Sequence, residues 1–305
     1  MPAAFPIEML AVFLCPKDSG TLSWSGPARQ EFVVSGAGVC GRCGAVYEIR
    51  EGILRLLEGQ RPVDPLTRRE QTARDLKADS YDAHFSERVH TVELAAILAE
   101  LSSLPGKTIL DLACGTGRIT RHLTGLGGRV IAADISEESL RVLAGKTPPR
   151  ARVALVWCDA TQLRAAPGSI DLAVSTQLLE HIPSREQRAA FLEGVHAALK
   201  PGGIFLLTVY YYNSLRRLLR THQEGFHASG IFFRRFTRSE IQKEFSPLFQ
   251  VAQLRPMQID CRILPQSLPG ADWLACLLEK TLFREPVAHL LFVKASKEPQ
   301  ALVAR

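Results

Sequence analysis

The sequence predicts a doubly wound α/β sheet standing behind a small β-rich module. Three observations carry this reading. After Gly106, short β-branched runs alternate with helix-start signals; one of those runs opens directly into a glycine turn; and the stretch before Leu57 is instead rich in Gly, Ser and brief apolar alternations. With 305 residues, 46% apolar and 22% charged, the chain is long enough for one full core plus a small extra domain, and disorder is excluded for most of it.

Residues 1–58 form the expected module, with Glu31-Phe-Val-Val-Ser35 and Ala45-Val-Tyr-Glu-Ile49 as strand candidates between turn residues. Residues 59–106 are read as a linker and leading helices: a charged stretch over 61–77 contains Pro62 and Pro65, and Thr91–Leu104 sets Val92, Ala96, Leu98 or Ala99, and Leu101 at helical spacing before Pro105-Gly106. The α/β domain covers 107–298. Its strand candidates are Thr108–Leu112, Arg129–Ala133, Val153–Trp157, Ile170–Ser175 and Gly203–Val209, the apolar runs of buried parallel strands. Ser136 before Glu137-Glu138, and Ser184 with Gln187 three residues on, start the helices between them. Further on, Tyr210–Phe236 is aromatic and basic and Thr237–Phe245 is a capped helix. Phe249–Leu254 and His289–Ala295 are the last strands, with a helix over Ala271–Phe283 between them.

The longest apolar runs, Ile204–Val209 and Leu290–Val293, fall far short of the roughly 20 residues a membrane span needs. Met1–Leu14 lacks the basic start of a secretory signal, so a cytoplasmic location is the default expectation. Seven cysteines, an odd number without dense spacing, point to reduced thiols or metal ligands rather than disulfides. The net charge of +6 suits acidic partners and ordinary soluble proteins alike.

The strongest chemical signal is Ile109-Leu-Asp-Leu-Ala-Cys-Gly-Thr-Gly117, a strand leading through a glycine turn into the helix Arg118–Leu126. Gly115 and Gly117 allow close approach of a ligand to backbone, and the helix N-terminus adds free N–H groups. The next strand ends in Asp134, placed to accept from both hydroxyls of a ribose. The one after ends Trp157-Cys-Asp159-Ala160, where Asp159 is placed to take an adenine amino group. Three strand ends thus converge on one nucleoside.

Asp111-Leu-Ala-Cys-Gly-Thr-Gly117, Asp134, Asp159-Ala160, Leu179-Glu-His-Ile-Pro183 and Leu199-Lys-Pro-Gly-Gly203 resemble the ordered motifs of class I S-adenosylmethionine-dependent methyltransferases, closest to the UbiE-like group. The resemblance is good over 107–210 and loose to 295. It implies a seven-stranded Rossmann-like sheet of order 3-2-1-4-5-7-6, its last strand antiparallel, and in-line methyl transfer from the sulfonium. It also implies cofactor contacts at Asp111, Ala113, Gly115, Gly117, Asp134, Ile135, Asp159, Ala160, Gln177 and Tyr81. A dinucleotide-binding dehydrogenase would need a third glycine where Thr120 stands.

For the acceptor side, His181 with Glu180 beside it is the candidate base, on the loop after the fourth strand. The alternative is that the pair holds that loop or touches the methionine part of the cofactor. Absence of an Asn/Asp-Pro-Pro-Tyr sequence here counts against adenine or glutamine amide nitrogen as acceptor. Tyr81, His84 and Phe85 lie on a segment that folds over the cofactor in similar enzymes, and Tyr210, Tyr211 and Tyr212 are candidates for the acceptor pocket, at least one of them as packing. Arg216, Arg217, Arg220, Arg234, Arg235, Arg238 and Lys243, with Phe226, Phe232 and Phe233 interleaved, either grip an acidic partner or form a solvated face.

Cys15-Pro-Lys-Asp18 and Cys40-Gly-Arg-Cys43 have the layout of a zinc ribbon in which Asp18 replaces one cysteine. Together with Tyr47–Leu57, the module resembles the small zinc-ribbon activator of RNA and translation-factor methyltransferases, here fused to the enzyme. Cys15, Asp18, Cys40 and Cys43 either hold a structural zinc or leave three cysteines as small hydrophobes. Cys114, Cys158, Cys261 and Cys276 are read as core packing. The functional expectation is methyl transfer from S-adenosylmethionine to an oxygen, carbon or nitrogen of a small or medium-sized acceptor. Methylation of tRNA or rRNA is the alternative, and a non-catalytic cofactor-binding partner, recruiting another protein through the module, is the third reading.

Overall fold

The computed structural model describes residues 3–27, 30–84, 87–101, 104–259 and 284–298. The helix expected over Ala271–Phe283, together with Phe85, Cys261 and Cys276, lies outside the described residues. So does the side chain of His84.

In chain order the module supplies β1 (Phe5–Pro6), β2 (Leu22–Trp24), β3 (Phe32–Val33), β4 (Gly36–Cys40), β5 (Val46–Arg50) and β6 (Ile53–Arg55). The leading helices are α1 (Pro65–Asp75), α2 (Tyr81–His84) and α3 (Glu87–Leu98). The α/β part follows as β7 (Thr108–Leu112), α4 (Thr120–Gly125), β8 (Arg129–Asp134), α5 (Glu137–Lys146), β9 (Val153–Trp157), β10 (Ile170–Thr176), α6 (Arg185–Ala198) and β11 (Leu199–Tyr210). It closes with α7 (Ser214–Leu218), a hairpin of β12 (Glu224–Phe226) and β13 (Phe232–Arg234), α8 (Arg238–Phe245), β14 (Gln250–Ile259) and β15 (Ala288–Ser296).

The main sheet runs β14-β15-β11-β10-β7-β8-β9-β6-β5-β4-β2. Numbering the seven strands β7 to β11, β14 and β15 from one to seven gives the order 3-2-1-4-5-7-6, as the resemblance implied. Only β15 among them runs against its neighbours, pairing antiparallel with both β11 and β14. Side chains alternate across the sheet: Leu110, Leu112, Ile131 and Ala133 join the core shared with α6 and the module. Ile109, Val130 and Ala132 pack on the other face with Leu140 and Leu143 of α5.

The module does not sit apart from this sheet. β6 pairs in parallel with β9, matching Ile53 to Leu155, Leu54 to Val156 and Arg55 to Trp157. Without it β9 would be an edge strand with a bare row of peptide groups; with it the sheet reaches eleven strands. Arg55 anchors the join by stacking 4.5 Å over the Trp157 ring and pairing with Glu137.

Local signals explain the helix starts. Ser184/Gln187 and Thr237/Glu240 form complete capping boxes for α6 and α8, and Ser136 caps α5. α1 begins at Pro65 with Asp64 accepting from the amides of Leu66 and Thr67, so the charged stretch read as a linker contains an eleven-residue helix. Among the described residues no helix is long and apolar enough to cross a membrane.

Candidate active site

At the end of β7 the chain turns through Ala113 (φ 57°), Gly115 (φ 54°) and Gly117 (φ 88°). A side chain at Gly117 would meet Leu143 Cδ1 of α5 at 2.2 Å, whereas one at Gly115 would meet nothing within 4 Å. The first glycine therefore opens onto space and the second lets the turn pack on α5. Two acids fix the turn. Buried Asp111 accepts from Thr120 Oγ1 at 2.6 Å, tying β7 to the first turn of α4, and burial pushes its carboxyl up to about 7. Asp134 accepts from the amides of Gly115 at 2.7 Å and Ser136 at 2.8 Å. Burial raises its carboxyl against the pull of those two donors.

Asp159, at the end of β9, is held from the module side. Gln60 Oε1 accepts from the Asp159 amide at 2.8 Å and Gln60 Nε2 donates to its carbonyl at 3.2 Å. The Asp159 carboxylate accepts from Thr161 and Gln162.

These strand ends border one cavity of about 490 Å³. It is lined by Ala113, Gly115, Asp134, Ile135, Asp159, Ala160 and Gln177, and by Tyr81, so eight of the ten expected cofactor residues share its wall. Asp111 and Gly117 stand behind the wall and shape it. α1 and α2 form the cover: Thr67, Glu70, Arg74 and Lys77 line the cavity, with Arg74 paired to Glu70 at 3.2 Å. Asp82 of α2 accepts from Thr116 Oγ1 at 2.6 Å and also from Lys146, clamping the helix to the glycine turn.

At the other end lie His181, Ile182, Tyr210, His227, Ser229 and Ile231. His181 Nδ1 is 2.7 Å from the Phe232 carbonyl, which only accepts, so the proton sits on Nδ1 and Nε2 keeps its lone pair. Burial, with Arg74 nearby, holds its imidazolium down to about 3, so the ring is neutral. His227 lies edge-tilted 5.9 Å from His181 and at right angles to Tyr210, and is itself held down to about 4, mainly by burial. Glu180 does not line the cavity. It is fully buried with neither carboxyl oxygen partnered among the described residues, and burial raises its carboxyl well above the usual range.

The three tyrosines divide: Tyr210 lines the cavity, Tyr211 OH donates to Glu285, and Tyr212 OH donates to the Thr221 carbonyl at 2.7 Å. Most of the basic stretch is used internally. Arg216 is buried, Arg234 pairs with Glu224 and Glu240, Arg238 pairs with Glu285, and Arg235 stacks 4.4 Å over Phe233. Arg217, Arg220 and Lys243 remain exposed. Cys114 and Cys158 are buried thiols whose pKa values burial raises, in keeping with packing.

Neither the α1 lining residues nor His227 had been singled out as site residues from the sequence. The Asp64-Pro65 start was the available signal for α1; the β12–β13 hairpin that carries His227 to the cavity has no such mark.

In the module, Cys15, Asp18, Cys40 and Cys43 bring four donor atoms within 4.8 Å of one another. The Cys15 and Cys43 sulfurs are 3.7 Å apart, and a tetrahedral zinc with bonds of about 2.3 Å sets two sulfurs roughly 3.8 Å apart. Amides of Arg42 and Cys43 point at Cys40 Sγ from 3.4 and 3.5 Å, and Tyr47 OH lies 3.0 Å from Cys15 Sγ. The donor set and its supporting shell fit a structural ion.

The sheet order and a cavity across the carboxyl ends of its first four strands are the arrangement that the resemblance to class I methyltransferases implied. Residues 109–203 match the family described as methyltransferase domain. Over 125 residues the chain is 31% identical to the ubiquinone biosynthesis O-methyltransferase of Idiomarina loihiensis, covering 40% of this chain and 50% of that one. Over 136 residues it is 32% identical to the ubiquinone/menaquinone biosynthesis C-methyltransferase UbiE of Shewanella frigidimarina, covering 42% and 50%. The chain thus spans half the length of these curated relatives. Among solved structures, a chain from the complex between the Haloferax volcanii Trm112 methyltransferase activator and a methyltransferase superposes with TM-score 0.56 at 21% identity, covering 75% of this chain and 98% of that chain, a likeness of fold.

Proposed function

We propose that this chain transfers a methyl group from S-adenosylmethionine to a small or medium-sized acceptor, a hydroxyl being the acceptor that His181 suits best. The observation that carries it is the single cavity in which Gly115, Asp134, Asp159 and Gln177, from four strand ends, meet His181. Asp134 holds the ribose hydroxyls, Asp159 the adenine amino group, and the α1–α2 cover excludes water. When bound, the cofactor supplies an electrophilic methyl group. His181 Nε2 accepts a hydrogen bond from the acceptor and takes up its proton as the acceptor is alkylated. A weak base is enough there, because alkylation makes that proton far more acidic. The names of the relatives, O- and C-methyltransferases of quinone biosynthesis, support a small-molecule acceptor.

Methylation of RNA has less support, since four of the seven basic side chains proposed to grip phosphates are buried, paired or stacked within the fold. We further infer that Cys15, Asp18, Cys40 and Cys43 hold a structural zinc, and that the module acts on the site within its own chain, through β6 and Gln60. Incubation with methyl-labelled S-adenosylmethionine and a cell extract, followed by counting of RNA, protein, lipid and small-molecule fractions, tests the reading. Label in the small-molecule or lipid fraction is the expected result. Label in RNA would favour the alternative, and bound cofactor without transfer would favour a non-catalytic partner.

A further inference from the structure

The walls at the acceptor end of the cavity carry no charge of their own. His181 and His227 are neutral, burial keeps Tyr210 un-ionised, and Ser229 and Ile231 complete that end. The charges elsewhere on the lining fall into three groups. Arg118 is paired with the fully buried Glu93. Asp134 and Asp159 lie two and three strands from β10 in the order β10-β7-β8-β9, roughly 10 and 14 Å at about 4.8 Å per strand. The cover supplies Glu70, Arg74 and, just past the end of α1, Lys77. Lys77 has no acid partner among the described residues, so with Glu70 set against Arg74 the cover stays net positive.

Arg74 is the cation that reaches inward. Its Nη2 donates to Glu70 Oε1 at 3.2 Å, one helical turn back, and its guanidinium makes no other hydrogen bond among the described residues. Glu70 therefore fixes one arm, while Nε and Nη1 keep their donors. The side chain is 29% exposed and lines the cavity, so those donors are open to a ligand. Its charge bears on His181, His227 and Tyr210 at one end and on Tyr81 and Asp134 at the other, which puts it between them. In the reading above, the acids hold the neutral ribose and adenine groups, and the methyl donor is a cationic sulfonium. An anion beside His181 would lie between that cation and Arg74 and be favoured by both. The planar fork of a guanidinium fits a carboxylate.

We propose that the methyl acceptor carries a carboxylate besides the hydroxyl that is methylated, and that Arg74 binds this carboxylate from the cover, with Glu70 positioning the guanidinium. This rests on the methyl-transfer reading of the site. The test supplies methyl-labelled S-adenosylmethionine and a cell extract and passes the labelled product over an anion exchanger. The product should be retained at about pH 8 and released at about pH 2, below the carboxylate range. With Arg74→Gln, the rate at limiting extract should fall about 10- to 100-fold, the loss of a charge-assisted hydrogen bond, and recover as the extract is concentrated. Binding of S-adenosylhomocysteine and of 5′-methylthioadenosine, read by calorimetry, should stay within about twofold. A labelled product that is not retained at about pH 8 would overturn the proposal, as would one still held at about pH 2 in the manner of a phosphate. So would selective weakening of S-adenosylhomocysteine over 5′-methylthioadenosine, which would assign Arg74 to the cofactor's own carboxylate, or a loss of rate that extract does not restore. If S-adenosylhomocysteine binds and nothing is labelled, the methyl-transfer reading itself fails and the proposal falls with it.

Discussion

Replacing either glycine of the turn by alanine separates two jobs that the sequence motif merges. At Gly117 the backbone is left-handed and the new Cβ would lie 2.2 Å from Leu143 Cδ1. The conformation costs about 1–2 kcal/mol for an alanine and overpacking α5 adds about 1–3, so Gly117→Ala should lose roughly 2–5 kcal/mol. At about 2–4 °C per kcal/mol this lowers Tm by roughly 4–20 °C. At Gly115 the backbone cost is similar but no neighbour is struck, so Gly115→Ala should lose only about 1–2 kcal/mol of stability. Its Cβ projects instead into ligand space and should weaken S-adenosylhomocysteine binding about 5- to 100-fold, the effect of misfitting by one methyl group. The assays are thermal unfolding by circular dichroism and calorimetric titration. A third variant, Gly117→Ala/Leu143→Ala, should be more stable than the sum of its singles by about 1–3 kcal/mol, because the clash is gone. Equal melting of the two single variants, or additivity in the double, would refute this account of the turn.

His181→Gln should lower kcat by about 100-fold or more while S-adenosylhomocysteine affinity stays within about twofold, as read by steady-state kinetics and calorimetry; unchanged kcat would leave His181 a structural residue. Asp111, whose carboxyl is raised to about 7 by burial, binds its proton more tightly folded than unfolded, so its contribution to stability declines as pH rises from about 4 to 7 and stays low above that. Denaturant titrations across that range should show a shallower decline for Asp111→Asn, and parallel curves would contradict the raised value. Metal analysis of the purified protein should find one zinc per chain, lost together with several degrees of Tm in Cys40→Ala; a zinc-free protein of normal stability would make the cysteines packing residues.

How much of this was legible depended on whether the signal was local. β7 to β11 could be placed because each is a buried apolar run, and Ser136 and Ser184 announce their helices through caps. Asp134 and Asp159 could be assigned because they end strands that must lie side by side. The join of β6 to β9 had no such mark, since three residues, Ile53-Leu-Arg55, carry no periodicity that names a distant partner. Gln60, Glu70 and His227 reach the site only through tertiary packing. Glu180 shows the converse failure. It stands next to His181 in sequence, yet a 3-10 turn over Leu179–His181 sends the two side chains to different surroundings.

The β6–β9 pairing also sets an order of events during folding. Gln60 and Asp159 are separated by 99 positions in the chain, so the cavity wall at Asp159 cannot close until β9 has been made and docked. β6 is synthesised before β9 and must wait with one strand edge unsatisfied, a state open to wrong pairing. Long-range contacts of this kind are slow to form, and the cofactor site is therefore among the last parts to mature. A nascent chain thus becomes competent to bind ligand only once β6 has been stitched to β9.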